Sequence, residues 1–240
     1  MHLESRNTKD CDTCPIRHRA VCAHCDTEEL EQLDAIKYYR NYAAGQSIMF
    51  AGDRMEFVAS VVSGTATIEQ LAEDGRKQTV GLLLPSDFIG RPGRDTAIYD
   101  VTAVTDVTLC CFRRAQFEKL IAEMPHIAQR LLEMALDELD AARDWMFLLG
   151  RKTAREKLAS FLMLIVQRTT VPGLGGGADF STINLPLTRE AMSDYLGLTL
   201  ETVSRQMSRL RADGLIQLEG KRQVVIPDVP ALRGEMGEAA

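Results

Sequence analysis

The sequence predicts an α+β chain in four parts: an N-terminal cysteine segment, a β-jelly-roll domain, a long helix suited to self-association, and a C-terminal winged helix-turn-helix. Three observations predict it. Short β-rich runs separated by turn signals fill residues 43–112. Apolar residues recur at heptad spacing across 128–149. Two short amphipathic helices meeting at a glycine, then a hairpin pattern, occupy 188–226. The boundaries are expected at 1–28, 29–122, 123–150 and 151–240.

The 240 residues are 45% hydrophobic with a net charge of −6, enough for two cores that need no disulfide staples. No apolar run reaches the ~18 residues of a membrane span. Met1–Arg6 lacks the apolar stretch of a signal peptide. A cytoplasmic protein is therefore expected, with reduced thiols and no membrane partner. Residues 151–240 hold 12 Lys/Arg against 10 Asp/Glu, while 1–150 hold the remaining 16 and 24. A basic-leaning end on an acidic body suits a local nucleic-acid contact, although so small an asymmetry also arises by chance.

Four of six cysteines lie in one stretch: Cys11, Cys14, Cys22 and Cys25. Cys110 and Cys111 sit side by side in mid-chain. Two Cys-x-x-Cys pairs can turn four thiolates to one centre, so a metal is expected. Spacing alone serves zinc in a closed four-cysteine site as well as an iron–sulfur cluster. A dithiol redox enzyme is the third reading. Such motifs usually open a helix beside a βαβ unit, and no such unit is legible here. No Ser/His/Asp or paired-carboxylate arrangement stands out either, so an enzyme is not expected. His18 and His24 are expected at the surface.

Residues 26–40 read as an amphipathic helix capped by Asp26 or Thr27, with Leu30, Leu33 and Ile36 inward. Strands are expected at 46–50, 57–63, 65–71, 79–84, 101–103 and 107–112. A helix over 125–149 carries the seam Ala128, Leu132, Ala135, Leu139, Ala142, Met146 and Leu149. Its second apolar line is Ile127, Leu131, Met134, Trp145 and Leu148. Two lines need two covering surfaces, which favours a homodimer over a helix buried within one subunit. No charge interrupts the seam. A helix over 153–168, a Gly-rich loop over 171–180 and a strand over 181–187 follow.

Thr188 caps one short helix, Gly197-Leu198 turns the chain, and Thr199 caps a second helix, Leu200–Asp213, stopped by Gly214. Val203, Met207 and Leu210 form its buried line. Glu201, Ser204, Arg205 and Ser208 share the opposite face, with Arg209 beside them. These side chains suit base edges: Arg forks onto guanine, Glu accepts from the cytosine amino group, and Ser bonds either. A hairpin over 215–226, bearing Lys221 and Arg222, forms the wing. Double-stranded DNA is the expected partner.

The chain now resembles the CRP/FNR family of bacterial transcription regulators over nearly its whole length. Phe50-Ala51-Gly52-Asp53, Val62-Ser63-Gly64 and, most specifically, the run Leu187–Arg205 carry the likeness. The cysteines and Leu148–Ala154 are similar to the oxygen-sensing FNR branch in its alphaproteobacterial form. The resemblance implies a cyclic-nucleotide-binding-like sensor barrel and a homodimer on a two-fold site resembling TTGAT-N4-ATCAA. It places Glu201, Ser204 and Arg205 at the bases and implies contact with RNA polymerase. It also implies a [4Fe–4S] cluster held by Cys11, Cys14, Cys22 and Cys110, with Cys25 and Cys111 as alternative ligands. Oxygen would destroy that cluster and switch DNA binding off. The family's cyclic-nucleotide input is not expected. The stretch Ser86–Gly90 lacks the family's Glu, and Ala97 stands where an Arg would hold the phosphate.

Overall fold

The computed structural model describes residues 11–71, 74–75, 77–169, 179–220 and 222–237. Met1–Arg6, most of the Gly-rich loop and Lys221 lie outside the described residues. The chain forms two compact units, Met1–Asp140 and Ala141–Ala240.

The first unit begins with the cysteine segment and α1 (Thr27–Ile36). Asp26 caps α1 by accepting from the Glu29 amide, and the Glu29 carboxylate accepts from the Asp26 amide, a complete capping box. The helix ends earlier than its pattern suggests. Residues 37–40, read as its last turn, belong instead to strand β1 (Lys37–Tyr42). The run Lys-Tyr-Tyr-Arg-Asn-Tyr alternates buried Tyr39 with more exposed neighbours, and pairing with a partner strand outweighs the helical start.

The barrel strands are β2 (Ser47–Met49), β3 (Phe57–Ser63), β4 (Ala66–Leu71), β5 (Lys77–Leu83), β6 (Phe88–Ile89), β7 (Asp100–Ala103) and β8 (Val107–Arg113). They form two antiparallel sheets, ordered β1-β8-β3-β6 and β2-β7-β4-β5. Ala59, Val61, Leu109 and Cys111 of the first sheet meet Ile48, Ala66 and Val101 of the second in a closed core. β3 is buried on both faces, because its outer face is covered as well. That cover comes from the cysteine segment, α1, α2 (Arg114–Glu123) and the start of α3 (Pro125–Arg151). Phe112 of β8 stacks on Phe117 of α2 at 5.2 Å, and Ile127 of α3 joins them. α2 is not legible as a helix in the sequence, since Phe117 is its only fully buried side chain.

The expected second line of α3 is covered. Ile127, Leu131 and Met134 pack in the outer core of the first unit, and Leu148 is buried. The seam stays open: Leu132 is 61%, Leu139 45% and Met146 65% exposed. Ala135 and Ala142 are exposed, and Ala128 and Leu149 are half-buried. Among the described residues no helix is long and apolar enough to cross a membrane.

In the second unit, α4 (Ala154–Thr169) supplies the buried Leu158, Phe161 and Ile165. Then come β9 (Ser181–Asn184), α5 (Arg189–Leu196), α6 (Leu200–Ala212), β10 (Gln217–Glu219), β11 (Gln223–Ile226) and α7 (Val229–Gly234). The wing is three-stranded, ordered β10-β11-β9.

Gly64 links β3 to β4 with φ +85°, and a Cβ there would run into the Asp106 carbonyl. Gly64→Ala should therefore destabilise the protein by about 2–4 kcal/mol, from backbone strain plus overpacking. Urea unfolding measures this, and an unchanged midpoint would refute the packing argument.

Candidate metal centre and nucleic-acid interface

Residues 11–25 form a run of tight turns rather than a helix. Arg17 N donates to Cys14 O at 3.0 Å, Ala20 N to Ile16 O at 2.9 Å, and Cys25 N to Cys22 O at 3.1 Å. Ile16, Ala20 and Val21 are buried and anchor the run on the outer face of the first sheet. Arg17, to which the sequence reading gives no role, holds the loop's far end. Its guanidinium donates to the carbonyls of Cys22, of Ala23 at 2.8 Å and of Cys25 at 2.9 Å. No motif signals this, because an Arg between cysteines looks like any surface Arg.

β8 supplies the remaining thiol. Cys110 pairs with Tyr39 of β1 on one side and Ser60 of β3 on the other, so the three form one row on the outer face. Cys111, one residue on, points into the barrel core and is fully buried. Cys11, Cys14, Cys22 and Cys110 line one pocket with Ile16, Leu33 and Phe112, bounded by Lys37, Tyr39 and Ser60. Cys25 does not line it and packs with Val21, Leu30 and Leu33. Among the described residues no three cysteine sulfurs lie within 4.8 Å of one another. All six cysteines are free thiols.

Burial governs the chemistry of these thiols. It pushes Cys11 up to about 11 although Lys37 pulls the other way, raises Cys22 against the pull of Arg17, and pushes Cys25 up to about 12. Cys110 is raised well above the ordinary thiol value by burial and by the neighbouring cysteines. Buried neutral thiols of this kind are poor nucleophiles, which disfavours a dithiol redox enzyme. A metal must displace their protons to bind. Lys37 is the local cation: its side chain is 8% exposed, its ammonium donates to Cys11 Sγ at 3.1 Å and it pairs with Asp34. Burial works against that charge, but the hydrogen bonds to Asp34 and Cys11 outweigh it and raise the Lys37 pKa.

The pocket also holds an orphan. Ser60 is 2% exposed, and its hydroxyl has no hydrogen-bond partner among the described residues. A donor left unmade in an apolar wall, beside four thiols, fits a site whose remaining acceptor arrives with a bound group.

The segment is tied to α3. Arg130 donates to the Arg19 carbonyl at 2.7 Å, His126 Nδ1 lies 2.8 Å from Glu29, and His24 lies 3.6 Å from Glu133. His18 and His24 are exposed.

In the second unit Thr188 accepts from Ala191 N at 3.1 Å and Thr199 from Thr202 N at 3.2 Å, capping α5 and α6. Gly197 takes the left-handed conformation between them, φ +60°. α6 buries Val203, Gln206, Met207 and Leu210. Glu201, Ser204, Arg205, Ser208 and Arg209 are exposed together. Ser208 Oγ donates back to Ser204 O at 3.0 Å, and Arg205 reaches Thr202 Oγ1 at 3.4 Å. Tyr195 braces α5 by stacking on Trp145 at 4.1 Å. The sequence reading passes over Arg189 at the start of α5. One of its terminal nitrogens is buried with no hydrogen-bond partner among the described residues, and burial lowers its pKa.

A β-roll joined to a winged helix-turn-helix defines a DNA-binding transcription regulator. Residues 39–124 match the cyclic nucleotide-binding domain, and residues 156–235 match the Crp-like helix-turn-helix domain. The chain belongs to the CRP/FNR family. It is 63% identical over 228 residues to the transcriptional activator protein FnrL of Cereibacter sphaeroides, covering 95% of this chain and 92% of that protein. It is 37% identical over 208 residues to the nitrogen fixation regulation protein FixK of Bradyrhizobium diazoefficiens, covering 87% and 86%. The structure of FixK2 from Bradyrhizobium japonicum is similar with a TM-score of 0.76 at 33% identity, covering 85% of this chain and all of that one.

Arg17→Ala should speed amide exchange across residues 22–25 by at least about tenfold, the loss of roughly one charge-assisted bond of ~1.5 kcal/mol. Unchanged exchange, read by mass spectrometry, would remove Arg17 from the scaffold of the site.

Proposed function

We propose that this regulator responds to oxygen through a [4Fe–4S] cluster held by Cys11, Cys14, Cys22 and Cys110. The observation that carries the reading is the convergence of three segment thiols and one barrel thiol on a single pocket, with Cys25 and Cys111 turned elsewhere. A closed zinc site would need only Cys11, Cys14, Cys22 and Cys25, whereas in the pocket Cys110 takes the place of Cys25. The cluster supplies an oxygen-labile link between the segment and Cys110. The chain's own residues do the rest. Arg17 shapes the loop, Ile16 and Val21 seat it, and Arg130 and Glu133 carry its position to α3. The open seam of α3, with Leu132, Leu139 and Met146 at its centre, pairs with a second copy of the chain. Residues 123–150 thus act as the dimer helix, between a sensor part (1–28 with 29–122) and a DNA-binding part (151–240).

In the homodimer two α6 helices enter successive major grooves about 34 Å apart. Glu201, Ser204 and Arg205 read a two-fold site resembling TTGAT-N4-ATCAA. Thr199, Ser208 and Arg209 flank them, and Lys221 and Arg189 reach phosphates. Ala97 is buried at the position expected to hold a cyclic phosphate, so the barrel acts as a platform and takes no cyclic nucleotide. RNA polymerase is the partner through which bound protein acts on transcription.

Protein purified without oxygen should show a broad band near ~420 nm that decays in air together with binding to the symmetric duplex. Cys22→Ser and Cys110→Ser should abolish both, while Cys25→Ala and Cys111→Ala keep them. A colourless, zinc-containing protein that binds duplex equally in air would sink the proposal.

Arg205→Ala should cost about 1–3 kcal/mol on the symmetric duplex and little on random duplex. Equal losses on both, measured by anisotropy at fixed salt, would demote Arg205 to a phosphate contact.

A further inference from the structure

The pocket's wall is apolar except at Lys37, Tyr39 and Ser60. Two of these have settled partnerships of different kinds. Lys37 donates to Cys11 Sγ and pairs with Asp34. Tyr39 is packed among Ile16, Ala20 and Val62. Ser60 has neither arrangement. It lies in β3, at the end of the row Tyr39–Cys110–Ser60 and directly opposite Cys110, and is 2% exposed. Among the described residues its hydroxyl has no hydrogen-bond partner. An unmade buried hydrogen bond costs roughly 1–3 kcal/mol, and Ala would fill the same strand position without that cost. A hydroxyl kept there has its partner in whatever fills the pocket.

We propose that Ser60 donates its hydrogen bond to the sulfur shell of the bound cluster on the Cys110 side, complementing Lys37 on the Cys11 side. This rests on the cluster reading above. Ser60 is then a positioning residue: it ligates no iron, but it fixes the electron density and orientation of the sulfur it touches. The two donors approach from opposite strands of the pocket wall, Lys37 at the start of β1 and Ser60 in β3. Between them the charged sulfur shell meets two hydrogen bonds in a site whose wall is otherwise apolar but for Tyr39.

Ser60→Ala and Ser60→Thr in the full-length protein test it. Both are reconstituted without oxygen from ferrous iron and sulfide, beside the unaltered protein. Cluster loss to an iron chelator is followed by absorbance, and melting of the cluster-free forms by circular dichroism. Ser60→Ala should lose its cluster on the order of tenfold faster, the usual consequence of deleting an outer-shell partner, while the cluster-free form melts no lower. Ser60→Thr, which keeps the hydroxyl, should restore slow loss. Cluster lifetimes in Ser60→Ala equal to the unaltered protein overturn the Ser60 role and leave the cluster reading standing. An unaltered protein that takes up no iron and sulfide overturns both.

Discussion

The pairing of β8 between β1 and β3 decides which cysteine faces the N-terminal segment. In a strand, neighbours face opposite ways, so one register sends Leu109 and Cys111 into the barrel and Cys110 out towards the segment. A slip by one residue would exchange the two cysteines and send Cys110 into the apolar core. The register is held by Val107, Leu109 and Cys111 against the second sheet and by Phe112 against Phe117. The fourth thiol of the pocket is thus placed by ordinary hydrophobic packing, well away from the segment that carries the other three.

The other three corners depend on a weaker structure. Residues 11–25 have no ladder and no helix, and their order comes from Ile16, Ala20 and Val21 beneath and from Arg17 across. The thiols themselves complete the packing, because burial keeps Cys11, Cys22 and Cys110 protonated and they then behave as small apolar side chains.

Much of this was legible in the sequence, and the misses have physical causes. The turns flanking β3, β4 and β8, both helix-turn-helix caps and the buried line of α6 follow from local chemistry. The alternation at Cys110 and Cys111 was readable as a choice but not as an answer, since which face is outward depends on long-range pairing. Cys22 and Cys25 are equivalent in spacing; Arg17 and the packing of Cys25 beside Leu30 and Leu33 separate them in space. β1 was hidden because residues 37–40 continue the helical pattern of 26–36 and become a strand only against β8. Ser60 gave no sign at all, because an orphan hydroxyl is a property of the surroundings.

The coupling of the two ends turns on one stretch of α3. Over residues 127–135 the helix offers two faces. Ile127, Leu131 and Met134 lie in the core shared with the cysteine segment, and Arg130 and Glu133 reach Arg19 and His24. Ala128, Leu132 and Ala135, within the same turns, face outward and carry the start of the seam. Close-packed interiors transmit displacement rather than absorb it. A shift of the segment therefore acts on residues one or two positions from those a second chain would contact. Under the proposed function, with Ala142 in the seam and no charge there to oppose association, the leverage lies in how the two helices meet, and a change of orientation suffices as the output.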